Sequence, residues 1–489
     1  MIDPSDVAIY LNPHSEMLLM DVLLCVLGDA VGADRENGSF TPKQVAMPPL
    51  GLLYLAQILS DKGYQARVYD QAVTGASNAE ILEGVIKKAD PHILGVSVYL
   101  RNFAATRDLV KRVKSWNPNI TIIAGNYIPT FFPENVMREM SVDYCIRGEG
   151  EIALLALVDH VLKHKGDLAS MKGVIYREHG LVKAGLPPEP VVDLDTLPIP
   201  DRRLVDFNYR FQRKSTTILT SRGCPFDCKF CTFERLMGRA WRARSPENVL
   251  EELHRLQSDG YEDIIVIDSN FALNKKRAFR ICQGIVQEGL RGLRFSSDVR
   301  VDSATKPMLR TLASGGFQSI LMGIESGNQR LLDFYKKGFT VEQAQTAVRN
   351  ASDAGIGMIM ASFVVGAPDE TLAEAINTVK FAERLGISFA MLQILSTTPV
   401  SSLYADLVAS GRYTPGPDDW KRELYVADMI PGTVPRAVLK ALVNEGFVRF
   451  WSNAKRQTRF LWDTFKRDAF VLYFLDMVRN GMRRGGGSA

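Results

Sequence analysis

Two α/β domains in tandem are predicted for this chain. One is a Rossmann-like, doubly wound domain over residues 1–165; the other is a partial (β/α)6 barrel of TIM type over 216–405, followed by a helical region over 406–489. Two series of short apolar runs, each alternating with amphipathic helical runs, predict this division. A third observation, three cysteines within eight residues straight after the first strand of the second series, says where chemistry is to be sought. A length of 489 residues accommodates more than one core.

In the first series the expected strands are 7–11, 65–69, 92–98, 121–124 and 144–147. The helical stretches are 50–62, 104–116 and 151–164, with apolar residues at three- and four-residue spacing. Short connections between such units imply a doubly wound sheet whose ligand crevice lies at the carboxyl ends of the strands. Residues 166–215 lose the alternation and contain Leu186-Pro187-Pro188-Glu189-Pro190 and Leu197-Pro198-Ile199-Pro200, so a linker wrapping the surface is expected. The second series places strands at 217–220, 264–268, 294–297, 319–323, 358–365 and 390–395, with helices at 246–258, 276–288, 306–314, 341–354 and 371–385. Ser245-Pro246 is a good helix start, a hydroxyl cap followed by a proline whose missing N–H costs nothing there. Six units are too few to close an eight-stranded barrel but enough for a partial one, with its site at the carboxyl ends of the strands.

Apolar residues at 46% and charged residues at 23% exclude a long disordered or collagen-like chain. Apolar stretches such as 17–27 are broken by Asp21 or end short of the roughly 18 residues that span a bilayer. No basic segment precedes an apolar one and a cleavage site at the N-terminus, so the cytosol is the expected location. The formal charge of +4 is unevenly spread: residues 436–489 hold 11 basic and 4 acidic side chains, a net of +7. In that tail Phe447, Phe450, Trp451, Ala454, Thr458, Leu461, Trp462 and Phe465 recur at helical spacing opposite Arg449, Asn453, Arg456, Arg459, Lys466 and Arg467. Such a helix either caps the barrel, which is the favoured reading, or lies on a membrane surface and gives access to a hydrophobic substrate. No nucleic-acid recognition module accompanies the charge, so nucleic acid is not an expected partner. Gly485-Gly486-Gly487-Ser488-Ala489 reads as a flexible tail.

Six cysteines in a chain of this length exclude a disulfide scaffold. Cys25, Cys145 and Cys282 are isolated and read as buried thiols. Cys224-Pro225-Phe226-Asp227-Cys228-Lys229-Phe230-Cys231 is different, because one short loop can wrap three corners of an iron–sulfur cube and leave the fourth iron open. Zinc is the alternative, but it favours paired Cys-x-x-Cys units and a fourth ligand, and the next histidine downstream is His254.

The Cys-x-x-x-Cys-x-x-Cys spacing, with an aromatic residue before the last cysteine and a partial barrel around it, resembles the radical S-adenosylmethionine (SAM) superfamily over about 217–403. The resemblance implies a [4Fe–4S] cluster on Cys224, Cys228 and Cys231, with SAM chelated to the open iron. Reductive cleavage of SAM then gives a 5′-deoxyadenosyl radical that abstracts hydrogen from the substrate. By the same resemblance Phe230 lies near the adenine, and Glu325 in Gly323-Ile324-Glu325-Ser326 makes a polar contact to SAM. Ser297 and Arg300 reach the SAM carboxylate, and Gly366 belongs to Phe363-Val364-Val365-Gly366-Ala367-Pro368, which packs on the adenine. An ordinary ion pair at the barrel rim is the plainer reading of Arg300 and Glu325.

Met47-Pro48-Pro49-Leu50-Gly51-Leu52-Leu53-Tyr54-Leu55, Asp143-Tyr144 and Arg147-Gly148-Glu149-Gly150-Glu151 resemble the N-terminal domain of the cobalamin-binding radical SAM enzymes. The family's Asp-x-His-x-x-Gly stretch is matched by Asp70-Gln71-Ala72-Val73-Thr74-Gly75, with Ala72 in place of the histidine, so cobalamin is expected without a histidine as lower ligand. Asp70, Gly75, Ser97, Gly125, Gly148 and Glu149 are the expected cobalamin contacts; small residues at these strand ends let backbone approach a bulky corrin. No Gly-x-Gly-x-x-Gly follows a strand, which argues against a dinucleotide. The resemblance implies a methyltransferase acting on an unactivated carbon of a small molecule. It also implies a reductant such as flavodoxin or ferredoxin, and the chain is expected to be a monomer. An oxidative cyclase or ring-rearranging enzyme with the same cofactors, and a non-catalytic cobalamin carrier or sensor, are the alternatives.

Overall fold

Val22-Leu23-Leu24-Cys25-Val26 is apolar at every position, as a strand covered on both faces must be, and in the computed structural model it forms the first strand of the first sheet. The structure describes residues 20–28, 47–205, 214–453, 456–458 and 460. The chain divides into two units, the first running to Gln212 and including Trp420–Arg422, the second taking up at Arg213.

In the first unit β1 (Val22–Val26), β2 (Ala66–Asp70), β3 (Ile93–Ser97), β4 (Thr121–Gly125) and β5 (Tyr144–Ile146) are parallel, in the order β2-β1-β3-β4-β5. The order reverses between β1 and β3, the place where doubly wound sheets bind ligands. The strand expected at 7–11 lies outside the described residues. The strand actually paired to β2 and β3 is Val22–Val26, inside the apolar stretch that Asp21 was expected to interrupt. Asp21 stands at the strand's start, its carboxylate accepting from the Gln65 backbone N–H at 2.8 Å.

Residues 166–215 are also more than the linker expected there. They supply β6 (Val174–Glu178) and β7 (Leu181–Ala184), an antiparallel hairpin that extends the sheet from β5. His179 and Gly180 join them with φ of 50° and 80°, the two positive values that a tight two-residue hairpin turn requires. The proline-rich stretch follows the hairpin, and its Val191 N–H donates to Glu149 at 2.8 Å.

In the second unit six strands are parallel throughout: β8 (Ser215–Ile218), then, after a small ladder of β9 (Ser221–Arg222) and β10 (Arg242–Ala243), β11 (Asp263–Val266), β12 (Arg294–Asp298), β13 (Phe317–Glu325), β14 (Met358–Val365) and β15 (Phe389–Ile394). The helices between them fall within a residue of expectation: Pro246–Ser258, Lys275–Gln287, Lys306–Ser314, Val341–Asp353 and Leu372–Arg384. Ser245 caps the first as its sequence implied, accepting from Asn248 N at 3.1 Å. One face of the sheet, including Ile264, Val266, Phe295, Ile320, Ile359 and Ala361, is buried in a single core with the helices. The other face keeps partial contact with solvent, as the inner face of an open barrel does.

The C-terminal helix begins at Arg436, eleven residues before the expected stripe, and ends at Trp451. It buries Leu439, Leu442, Gly446 and Phe450, and Trp451 packs on Phe389 of β15 with ring centroids 5.7 Å apart. Arg449 pairs with Glu383 at 2.9 Å, and Arg456 donates to the backbone carbonyls of Glu383 and Leu385 at 2.8 and 3.3 Å. The described part of the helix is therefore a cap on the barrel; Ala454, Arg459, Leu461, Trp462, Phe465, Lys466, Arg467 and the 485–489 tail lie outside the described residues. Among the described residues no helix is long and apolar enough to cross a membrane.

Candidate functional site

The three cysteines occupy a loop held at both ends. Just beyond β8 the backbone N–H groups of Thr220 and Ser221 and both their hydroxyls donate to the buried Asp268 carboxylate, at 2.6, 3.0, 2.5 and 2.6 Å. Arg277 donates to Thr220 O at 2.8 Å, and a buried Arg244–Glu252 pair closes the same corner, with Arg244 donating to Leu219 O at 3.0 Å. Gly223 then turns the chain at φ 86°, where a Cβ would stand 2.2 Å from the Ala240 carbonyl, so only glycine fits.

Beyond that turn Cys224 N donates to Gly238 O at 3.1 Å, and Cys231 N donates to Cys228 O at 3.0 Å. All three thiols are half-buried and free. Burial pushes the Cys231 thiol from 9.0 up to about 11, so a thiolate there needs positive charge close by. Among the described residues no three His, Cys, Asp or Glu side chains converge as ligands of one metal ion must. The donor set is three thiols on one short loop, which suits an iron–sulfur cube that keeps one iron open better than a zinc ion that wants four ligands.

Arg300, just after β12, reaches this loop. Its Nη1 is 3.8 Å from Cys228 Sγ and its guanidinium lies over the Phe226 ring at 3.4 Å, while Nη2 donates to Lys337 O at 2.7 Å and pairs with Asp302 at 3.0 Å. Glu325 adopts φ 69°, which turns its side chain at the bulge ending β13; it pairs with Lys337 at 3.0 Å, both buried, and accepts from Ser362 Oγ at 3.2 Å. Each of Arg300 and Glu325 thus has an ion-pair partner, as the plainer reading required; Arg300 also touches the cysteine loop, and Lys337, the partner of Glu325, stands 5.9 Å from the Phe230 ring. Phe230 stands edge-on to Tyr335 with centroids 5.2 Å apart. Lys229 N donates to Tyr335 O, which ties the cysteine loop to the chain after β13.

Ser297 is a correction. It is buried and in register with Val266 and Ile320, both core residues against the helices, so it faces away from the mouth expected to hold SAM. Asp298, one step on, faces the mouth instead and stays open to solvent. Although the residue as a whole is exposed, burial of its carboxyl, with the charge of Asp268 as a second cause, pushes it from 3.8 up to about 6. Strand parity was a usable signal, since Ser297 shares it with Phe295 and Val299, both buried. Gly366 has a packing reason of its own: at φ 94° its Cβ would meet Leu439 of the C-terminal helix at 2.7 Å. Its N–H and that of Ala367 donate to buried Glu370, at 2.5 and 2.8 Å, a residue not singled out from the sequence. Burial pushes the Glu370 carboxyl from 4.5 up to about 7.

In the first unit the register aligns Asp70, Val26, Ser97 and Gly125 in one row across the carboxyl ends of β2, β1, β3 and β4. A Cβ at Gly125 would meet nothing within 4 Å, so open space lies above the row. Ser97 Oγ accepts from Asn126 Nδ2 at 2.8 Å, and Asn126 follows Gly125 at φ 85°, swinging the chain clear of the crevice. Gly75 closes the turn after β2 at φ 66°, its N–H on Gln71 O at 2.8 Å. Gly148 at φ 74° donates to Thr130 Oγ1 at 3.1 Å beyond β5, and Glu149 is engaged with Val191. An open cradle of small groups and backbone at the switch point fits a bulky planar ligand.

Comparison with known proteins identifies both domains. Residues 44–158 match the B12 binding domain family and residues 218–382 the radical SAM superfamily. An uncharacterised methyltransferase of Pyrococcus horikoshii is 34% identical over 369 residues, covering 74% of this chain and 79% of that protein. The anaerobic magnesium-protoporphyrin IX monomethyl ester cyclase of Rubrivivax gelatinosus is 27% identical over 89% of this chain and 80% of its own. Among solved structures, the radical SAM methyltransferase TsrM from Kitasatospora setae, with cobalamin and a [4Fe–4S] cluster bound, shares the fold at a TM-score of 0.69 and 20% identity, over 81% of this chain and 80% of that one.

Proposed function

The chain belongs to the cobalamin-binding radical SAM enzymes, and from that premise we propose that it is a methyltransferase that places a methyl group on an unactivated carbon of a small molecule. When bound, the cluster and SAM supply a hydrogen-abstracting radical and cobalamin supplies the methyl group. Cys224, Cys228 and Cys231 hold the cluster, and the Arg300 guanidinium beside Cys228 offsets thiolate charge. Glu325, fixed by Lys337 and Ser362, is oriented to accept from the SAM amino group. Phe230 and the Gly366-Ala367-Pro368 segment wall the adenine; because Glu370 takes the N–H groups of Gly366 and Ala367, that wall offers apolar surface. The row of Asp70, Ser97 and Gly125, rimmed by Gly75, Gly148 and Glu149, receives the corrin, and Ala72 leaves it without an imidazole from that stretch. A one-electron donor of the flavodoxin or ferredoxin type supplies the reductant.

The observation that carries this reading is the pairing of two sheet edges in one chain, one with three thiols on an anchored loop and one with an open cradle of small groups. The cyclase relative favours a second reading, radical oxidation without methyl transfer. Anaerobic incubation of the loaded enzyme with small-molecule extract and SAM bearing a trideuterated methyl group separates the two. Label in a product that gained one methyl group is expected; a product that lost hydrogen or gained oxygen without label supports the cyclase reading instead.

A further inference from the structure

Strand register defines the inner face of the barrel residue by residue. Asp298 stands beside Leu321, and Leu321 beside Met360; Ile267, one residue past the partner of Ser297, adjoins Asp298 on the other side. The next row holds Gly323, Ser362 and Met391, and Gln393 lies beyond it. Strands flanked on both sides are ordinarily apolar and covered. Here Ile267 is 43% exposed, and Asp298 and Gln393 are exposed as well, so this face presents both apolar and polar groups to a ligand.

The charge on that face is one-sided. Across all six strands the only lysine or arginine is Arg294, which stands at the amino end and is paired to Asp263 at 2.7 Å. Near the mouth Arg300 pairs with Asp302 and Lys337 with Glu325, while Arg244 pairs with Glu252 and Arg277 donates to Thr220 O at the corner beyond β8. Asp268 is saturated by the Thr220 and Ser221 donors. Among the described residues the Asp298 carboxylate has no hydrogen bond or ion pair, and with a pKa of about 6 it is mostly ionised at neutral pH. A carboxylate left without a partner among apolar neighbours repels anions and rewards a donor.

We propose that the inner face of the barrel is a substrate subsite for an apolar molecule that presents a hydrogen-bond donor, hydroxyl or ammonium, to Asp298, and that it rejects carboxylate and phosphate groups. The proposal rests on the radical SAM reading of the barrel, and it narrows the substrate to the part that enters there.

The test compares three probes of one tail length, decylammonium, decanol and decanoate, binding below their micelle concentrations to the full-length holoenzyme by calorimetry. Decylammonium and decanol are expected to bind at least ~10-fold more tightly than decanoate, and Asp298→Asn to bring the preference below ~2-fold. Met360→Trp, which narrows the same face, is expected to weaken all three. Equal binding of the three by the wild type, a preference that survives Asp298→Asn, or indifference to Met360→Trp would overturn the subsite. The wild-type series stands even if a variant fails to fold. Formation of 5′-deoxyadenosine by the same preparations is read separately: its loss with the preference intact refutes the radical reading, and the reverse refutes only the subsite.

Discussion

The carboxyl edges of the parallel strands in the two sheets are built on opposite plans. The first is a row of small or backbone groups, Asp70, Val26, Ser97 and Gly125, under open space. The second is crowded with charge held in place: Asp268 under four donors, Glu325 on Lys337, Arg300 against Cys228 and Phe226. The contrast teaches what each ligand demands. A large corrin needs room and close backbone, whereas a cluster with a zwitterionic cosubstrate needs fixed charges, which cost little further reorganisation when the ligand arrives.

The sharpest way to break the contrast is at the thiols. Cys228→Ala is expected to reduce 5′-deoxyadenosine formation to background while cobalamin still binds, checked by chromatography after reduction and by absorbance titration. The converse is Gly125→Phe, at a position where an added Cβ meets nothing within 4 Å. Cobalamin affinity should fall by about 100-fold or more with SAM cleavage retained, a loss of the size expected when a ring occupies a ligand's place.

Glu325→Gln leaves Lys337 as an unpaired buried cation. It should cost about 3 kcal/mol in denaturant unfolding and raise the SAM KM, while Glu325→Asp recovers part of both. The smallest effect concerns the rim of the fold. Arg330 grips Glu374 at 2.8 and 2.7 Å, and chiefly through that contact holds its carboxyl down at about 2, against 4.5 when unfolded. A pKa lowered by folding contributes stability above pH 4.5, and that contribution is lost as pH falls from 4.5 toward 2. The pair is partly exposed, so Glu374→Gln should cost only about 1 kcal/mol at pH 7 and flatten the acid limb of the unfolding curve.

Legibility in the sequence followed the strength of the local signal. The six barrel strands and their helices could be read because apolar periodicity, Ser245-Pro246 and the short turns all agree. Val22–Val26 is a short apolar run without period-2 alternation, which periodicity alone does not separate from a buried helical segment. The hairpin Val174–Ala184 adjoins proline-rich sequence that argues for a linker, and its signal in the sequence is the His179-Gly180 turn.

At the site, the cysteine triplet needed only spacing. Ser297 and Asp298 needed strand parity as well, since a one-residue step exchanges the two faces. Glu370 and the Lys337–Glu325 pair could not be read from spacing, because they are brought together by segments 12 residues apart or by the turn after β14. The early start of the C-terminal helix was masked by its mixed composition before Phe447.

The most direct measurement of the central claim is iron and cobalt content on one sample of the full-length chain, reconstituted anaerobically with both cofactors, beside the Cys228→Ala variant. About four irons and one cobalt per wild-type chain, with the variant losing iron and keeping its cobalt, is the predicted result. Cobalt that falls together with iron, or a wild type that retains neither metal, would contradict two independent cofactor edges.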